Sequence, residues 1–329
     1  MRIIVDAMGG DNAPQMTVRG CMLAVEKYNL EITLVGNSEQ IKQHLTNERN
    51  IKIVHSTQVV SYDDEPTKVM RTKPKSSMLV GLSMLAAGEG DAFVSAGNTG
   101  ALVTGTTLIV KRIKGIRRIA IAPIIPVKGG AAILVDGGAN VDCTAQMLCQ
   151  FAMMGSIYAE AVLNVNNPTV GLLNNGTEAH KGNKAAVEAY EMLRELLPVN
   201  FMGNIEARDI FSGKANVLVA DGFTGNILLK AIEGTALYFS KNLKDMLTKS
   251  FLTKISALIL KNGISDFKKK FDYNEHGGAP LLGANGAVIK AHGSSGEVAF
   301  CNAIRQAKSF FETDAVNIIT DAVNKEGDV

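Results

Sequence analysis

Ten short apolar runs, rich in β-branched residues, punctuate this 329-residue chain, and longer helical patterns separate them. That alternation constrains the fold more than any other feature. A strand, a covering helix and a further strand together build a largely parallel sheet. The strand patterns are RIIVDAM (2–8), EITLVGN (31–37), IKIVHST (51–57), DAFVSAG (91–97), IAIAPII (119–125), AAILVDG (131–137), PTVGLLN (168–174), NFMGNIE (200–206), ANVLVAD (215–221) and AVIKAHG (287–293). Helical patterns fill most gaps, as at 13–28, 75–88, 142–163, 183–197 and 294–326. The expectation is a three-layer α/β/α fold around a broad mixed, mostly parallel sheet of about ten strands. It forms one catalytic unit over 1–329, or two intertwined lobes sharing the sheet.

Most of these strands end in Gly, Asn or Asp. The loops that follow are GGDNAP (9–14), SAGNTGA (95–101), DGGAN (136–140), NNGTEAHKGN (174–183), DGFTGN (221–226) and HGSS (292–295). In open α/β sheets ligands bind beyond the carboxyl ends of the strands. Any one of these loops reads as a tight turn, but six at equivalent ends point to one shared cleft.

Bulk composition narrows the function. A net charge of +2 argues against a general nucleic-acid binder, and four scattered cysteines without a CxxC pair suggest neither a zinc site nor a redox pair. Asp6 interrupts any signal-peptide core in MRIIVDAMGGD, and no run approaches a membrane span, so a cytoplasmic protein is expected. No GxGxxG follows a strand, and GxxxxGK[ST], HExxH and GxSxG are all missing, which removes nucleotide-phosphatase, zincin and α/β-hydrolase readings. No cofactor and no metal are expected: Asp6, Asp11, Asp136 and Asp221 near strand ends read more simply as caps of turns and helix starts.

One region breaks the α/β rhythm. Residues 227–271 read as an amphipathic helical arm, with Leu243, Met246, Leu247, Phe251, Ile255, Leu258 and Ile259 on one face. Eight lysines against two aspartates give residues 240–270 a net charge of +6, leaving −4 for the rest. A basic apolar arm on a mildly acidic body suits either an anionic bilayer surface or a dimer interface.

Several residues could carry chemistry. The 95–101 loop offers backbone N–H groups with Ser95, Asn98 and Thr99 but no basic residue, so an anion there needs cations from elsewhere. RTKPKSSM (71–78) and HKGNK (180–184) each set basic residues before a helix start. Cys143 reads as an acyl acceptor or, more simply, as a packed residue, and His276 and His292 are acid–base candidates. KRIKGIRR (111–118) is a solvated turn or a dock for an acidic protein.

Taken in order, VDAMGGDNAP, KPKSSM, VSAGNTGAL, VDGGANVDC, GLLNNGTEAHKGN, VADGFTGNILLK, GGAPLLGANG and AHGSS span residues 4 to 295. This set closely resembles the bacterial phosphate acyltransferases of phospholipid synthesis (acyl-acyl-carrier-protein:phosphate transacylases, the PlsX family). The resemblance implies transfer of a long acyl chain from acyl carrier protein to inorganic phosphate. It also implies a shape similar to phosphotransacetylase and isopropylmalate dehydrogenase, a homodimer, and peripheral attachment to the cytoplasmic membrane. A membrane acyltransferase downstream would receive the acyl phosphate.

Chemistry then suggests roles. Phosphate goes to Lys184 and His180, helped by the 97–100 backbone and Ser95. Asn98 and Asn226 donate to the thioester oxygen, and Asp221 orients a neighbour. Gly97, Thr99, Gly100, Lys73, Lys75, Ser76, Asn140, Asn175 and His292 complete the substrate site. Lys111, Arg112, Arg117 and Arg118 face the carrier protein, and Phe251, Ile255 and Leu258 face a membrane or a second subunit. Direct displacement is favoured over an acyl-Cys143 intermediate. Two other readings compete: a nicotinamide-dependent dehydrogenase of the isopropylmalate dehydrogenase-like shape, which needs a cofactor site and a metal-binding acid cluster, and a non-catalytic scaffold for acyl carrier protein, which leaves the convergent loops unexplained.

Overall fold

The computed structural model describes residues 1–195, 198–260, 263 and 277–326. The strands form two sheets rather than one broad sheet. The first has seven strands in the order β3-β2-β1-β4-β12-β11-β5: β1 (Arg2–Asp6), β2 (Glu31–Gly36), β3 (Ile51–His55), β4 (Ala92–Ser95), β5 (Ala120–Ile121), β11 (Ala279–Leu282) and β12 (Ala287–Lys290). The second has five in the order β6-β7-β10-β8-β9: β6 (Ile124–Val127), β7 (Gly130–Val135), β8 (Thr169–Asn174), β9 (Asn200–Glu206) and β10 (Val217–Val219). Neighbours pair in parallel except that β11 runs antiparallel to β12 and β5, and β6 antiparallel to β7.

The run expected as one strand over 119–125 is where the sheets part. The Ala122 N–H still bonds to the Pro280 carbonyl of β11, whereas the Pro123 carbonyl accepts from Leu134 in β7. Pro123 has no N–H to give a ladder, so the strand breaks there and the chain crosses from one sheet to the other. The motif GGAPLLGANG supplies β11, a four-residue strand too short to stand out by periodicity.

The helices are α1 (Gln15–Tyr28), α2 (Ser38–Lys42), α3 (Val69–Thr72), α4 (Ser77–Ala86), α5 (Thr99–Gly105), α6 (Ala145–Ala161), α7 (Lys184–Glu195), α8 (Gly222–Thr248), α9 (Phe251–Ile259), α10 (Glu297–Glu312) and α11 (Ala315–Glu326). The long helix expected at 294–326 is two, because Asp314 turns left-handed at φ 56°.

Strand alternation sends neighbouring side chains to different cores. Ile3 and Val5 of β1 join Val135 of β7 and Val219 of β10 in one buried cluster with residues of α1, α6, α10 and α11. Ile4 joins a second cluster with Leu79 and Leu82 of α4, and Leu134 and Leu218 join a third. Both sheets are therefore covered on both faces and share one helical layer. The carboxyl ends of β1, β4, β12, β7 and β10 look onto the space between them.

The arm begins inside a helix rather than after a loop. Asp221 caps α8, its carboxylate accepting from the Thr224 N–H at 2.7 Å and the Thr224 hydroxyl at 3.0 Å. Further along, Leu237, Tyr238, Phe239, Met246, Phe251 and Leu252 are all exposed. The side chains of Ile255 and Leu258, residues 264–271 of the arm, and His276 lie outside the described residues. Among the described residues no helix is long and apolar enough to cross a membrane.

Candidate active site

A cleft of about 650 Å³ lies between the two sheets. Of the six small-residue loops, five contribute to it: Asp11 after β1, Thr99 after β4, Gly137 and Gly138 after β7, Asn226 in the first turns of α8, and His292 with Gly293 after β12. Ile121, Pro123, Ile124, Leu229 and Ala279 make one wall apolar. The sixth loop, 174–183, is held elsewhere. Asn174 donates to the Lys181 carbonyl and to Asn204 Oδ1, and Asn204 donates to the Glu178 carbonyl.

A buried carboxylate organises each side. Asp6 accepts from the Ser77 hydroxyl at 2.6 Å and the Ser95 hydroxyl at 2.7 Å, pinning α4 and the end of β4 to β1. Asp136 accepts from the N–H groups of Ile121, Gly138, Ala139 and Asn140 and from the Asn140 side-chain amide. Burial raises both carboxyls above their ordinary value, while their donors pull the other way. The loops pack backbone to backbone: a Cβ on Gly225 would collide with the Asp136 carbonyl oxygen, and one on Gly9 would meet Asp6 and Gly97.

Several residues expected to bind substrate are engaged in contacts within the loops. Ser95 is fully buried, with its hydroxyl given to Asp6 and its oxygen taking the Gly97 N–H at 3.0 Å, so this part of the 97–100 backbone serves the turn. Asn98 caps α5 through Ala101 and donates its amide to the carbonyls of Ser61, Tyr62 and Asp64, which occupies the donor expected for the thioester. Gly100 faces Pro66. Asn140 donates to Ile119 and Asp136. Lys73 is spent on Asp64 at 2.5 Å and on the Val59 carbonyl at 2.9 Å. Ser76 is buried as the cap of α4, and Lys75 beside it is exposed. Asn175 is exposed next to Asn174.

Lys184 and His180 do not line the cleft. Lys184 is 90% exposed at the start of α7, 3.7 Å from Glu188, and His180 is exposed. The adjacent Asn183, Ala185 and Ala186 border a smaller cavity of about 400 Å³ with Cys143, Asp221, Phe223 and Thr224. Burial, then Asp136 and Asp221, push the Cys143 thiol up to about 12, the reverse of an activated nucleophile. Lys111, Arg112, Arg117 and Arg118 are exposed on a turn anchored by buried Ile113 and Ile116.

Of the expected residues, Thr99, Asn226 and His292 meet in the cleft. The Ser294 N–H at 3.3 Å and the Ser294 hydroxyl at 2.9 Å meet His292 Nδ1, and burial lowers the imidazole below its ordinary value. Sequence reasoning missed Lys290, which lines the cleft at 8% exposure and donates to the carbonyls of Ala96 at 3.0 Å and Ala291 at 2.5 Å. The signal was there in AVIKAHG, where one lysine interrupts an apolar strand. Burial brings its ammonium down to about 8. Among the described residues no group of three or more His, Cys, Asp or Glu is placed to hold a metal ion.

Comparison with known proteins agrees with this architecture. The model of the fatty acid synthesis protein family matches residues 1–318. A phosphate acyltransferase of Thermoanaerobacterium thermosaccharolyticum is 48% identical, covering 100% of this chain and 98% of its own, and one of Bacillus licheniformis is 48% identical with 100% of both covered. A phosphotransacetylase from Streptococcus pyogenes shares the fold at TM-score 0.63 and 18% identity, covering 96% of this chain and 94% of its own. A 4-hydroxythreonine-4-phosphate dehydrogenase from Klebsiella pneumoniae does so at TM-score 0.51 and 11% identity, covering 97% and 99%, and at that distance it speaks for the fold alone. The chain thus belongs to the fatty acid synthesis protein family, and its activity is acyl transfer to phosphate.

Proposed function

We propose that the chain takes a long-chain acyl group from acyl carrier protein and transfers it to inorganic phosphate in the cleft between the two sheets. The observation that carries this reading is the meeting of five loops around a space with one apolar wall and a polar floor. A phosphate oxygen attacks the thioester carbonyl carbon, the C–S bond breaks, and the proton of hydrogen phosphate passes to the departing thiolate. Hydrogen phosphate is its own nucleophile and proton source, so the protein's work is orientation and charge stabilisation. Asn226, Thr99 and His292, which line the same cleft, are the polar groups available to the reacting carbonyl. The raised Cys143 thiol favours direct displacement over an acyl-enzyme.

Lys184 and His180, exposed in and beside the segment that borders the smaller cavity, are available to an anionic group of the donor. The exposed charges of Lys111, Arg112, Arg117 and Arg118 attract its acidic body. The exposed apolar side chains of α8 and α9, with the lysines between them, suit a second subunit near the body and an anionic membrane surface further out, from which a membrane acyltransferase collects the product. Phe251→Glu with Leu252→Glu is expected to cut co-sedimentation with anionic vesicles, and unchanged co-sedimentation would remove membrane contact from the account. The central test mixes purified protein, acyl-acyl carrier protein and phosphate and follows free thiol. Release that requires phosphate is expected, and no release would sink the reading.

A further inference from the structure

The cleft contains a buried positive charge that the fold uses only in part. Lys290 ends β12, where its neighbours Ala287, Val288, Ile289 and Ala291 are all buried. No carboxylate lies within ion-pair distance of its Nζ among the described residues. Nearby Asp6 is committed to two serine hydroxyls. An ammonium has three N–H donors, and the carbonyls of Ala96 and Ala291 take two. The third belongs to the cleft that Lys290 lines.

A buried charge without a direct ion pair costs free energy, and a structural role would be met more cheaply by an apolar residue of similar length. Position adds to the argument. Lys290 lies at the carboxyl end of its strand, two residues before His292, and lines the same cleft as the apolar wall residues Ile121, Pro123 and Leu229. An anion held on Nζ would therefore face a carbonyl whose acyl chain runs along that wall.

We propose that Lys290 is a catalytic residue that binds the acceptor phosphate at the floor of the cleft and fixes its attacking oxygen toward the thioester. This rests on the reading of the cleft as the site of acyl transfer. The groups around the ammonium are Asp6 on β1, Asp11 after it, Tyr62, Lys230 and Glu233 on α8, and His292. Asp6 and Asp11 support the charge, Lys230 opposes it, and burial outweighs them all. The charged form holds phosphate, so phosphate use falls as pH rises through the free-enzyme value.

The test is steady-state kinetics of the full chain with acyl-acyl carrier protein and inorganic phosphate, using Lys290→Met and Lys290→Arg. In Lys290→Met, kcat/KM for phosphate is expected to drop about 100-fold, while KM for the donor stays within about twofold. Lys290→Arg keeps a charge that does not titrate and should recover at least about tenfold of that loss. Wild-type kcat/KM for phosphate should decline above pH about 8, the value of the free Lys290 ammonium, and the arginine variant should stay level to higher pH. Phosphate use by a folded Lys290→Met within about threefold of wild type, or equal loss toward both substrates, overturns the proposal. Should Lys290→Met fail to fold, a wild-type profile without the alkaline decline overturns it just as well. Phosphate binding without donor, followed by phosphorus NMR line width, separates the two claims: binding retained in Lys290→Met argues against the ammonium, whereas binding by wild type with no thiol release argues against the function.

Discussion

Asp6 and Asp136 occupy the same station in the two sheets, at the carboxyl end of a parallel strand beside the cleft, and both are buried. Their partners differ in kind. Asp6 is held chiefly by two serine hydroxyls, which can reverse from donor to acceptor by rotation, whereas Asp136 is held by four backbone N–H groups and an amide, which cannot. The first side of the cleft is thus the adjustable one, and it also carries Lys290. The second is a rigid frame of amides against which α8 packs. The difference suggests a division of labour: one sheet supplies the charge, the other the fixed geometry.

Substitution should expose that difference. Asp136→Asn sets an NH₂ group against backbone donors and is expected to cost about 3 kcal/mol or more, read from urea unfolding. Gly225→Ala drives a Cβ into the Asp136 backbone on the same rigid side, and about 1–3 kcal/mol is expected together with loss of activity as Asn226 shifts. A fully active Gly225→Ala would show that the frame yields after all.

Lys290 marks the charged side through pH. Its folded value, about 8, lies below the ordinary 10.5, so the folded state binds fewer protons than the unfolded state between those values. The cost of the buried charge is present below pH 8 and is relieved as pH rises toward 10.5. Relative to Lys290→Met, wild type should therefore gain on the order of 2 kcal/mol across that window, measured as the difference in unfolding free energy at its two ends. Asp6→Asn, with reversible hydroxyl partners, is expected to change stability by about 1 kcal/mol or less. A loss as large as that of Asp136→Asn would erase the contrast. Within α8, Gly234 faces no atom within 4 Å, so Gly234→Ala should stabilise the arm by about 0.5–1 kcal/mol, the opposite of Gly225→Ala.

The sequence made the layers and the cleft legible because strand ends and small-residue loops are local signals. Five of six loops converge as that pattern implies. Two kinds of information were not local. Whether 119–125 is one strand or two depends on which ladders flank Pro123, a pairing between residues far apart in the chain. Whether a polar residue serves substrate or fold depends on its partners: Ser95, Asn98, Asn140 and Lys73 look functional in a motif, yet each closes a hydrogen bond that holds a loop. Lys290 is the converse, a lysine inside an apolar strand whose weight becomes clear once its burial and the lack of a direct ion pair are seen together.

The most direct test of the site is a crystal of the protein grown with tungstate, a tetrahedral oxyanion with strong anomalous scattering. The account predicts an anomalous peak in the cleft, with an oxyanion oxygen about 3 Å from Lys290 Nζ and the ion facing Asn226. A peak at the start of α7, beside Lys184 and His180, with none in the cleft would contradict it.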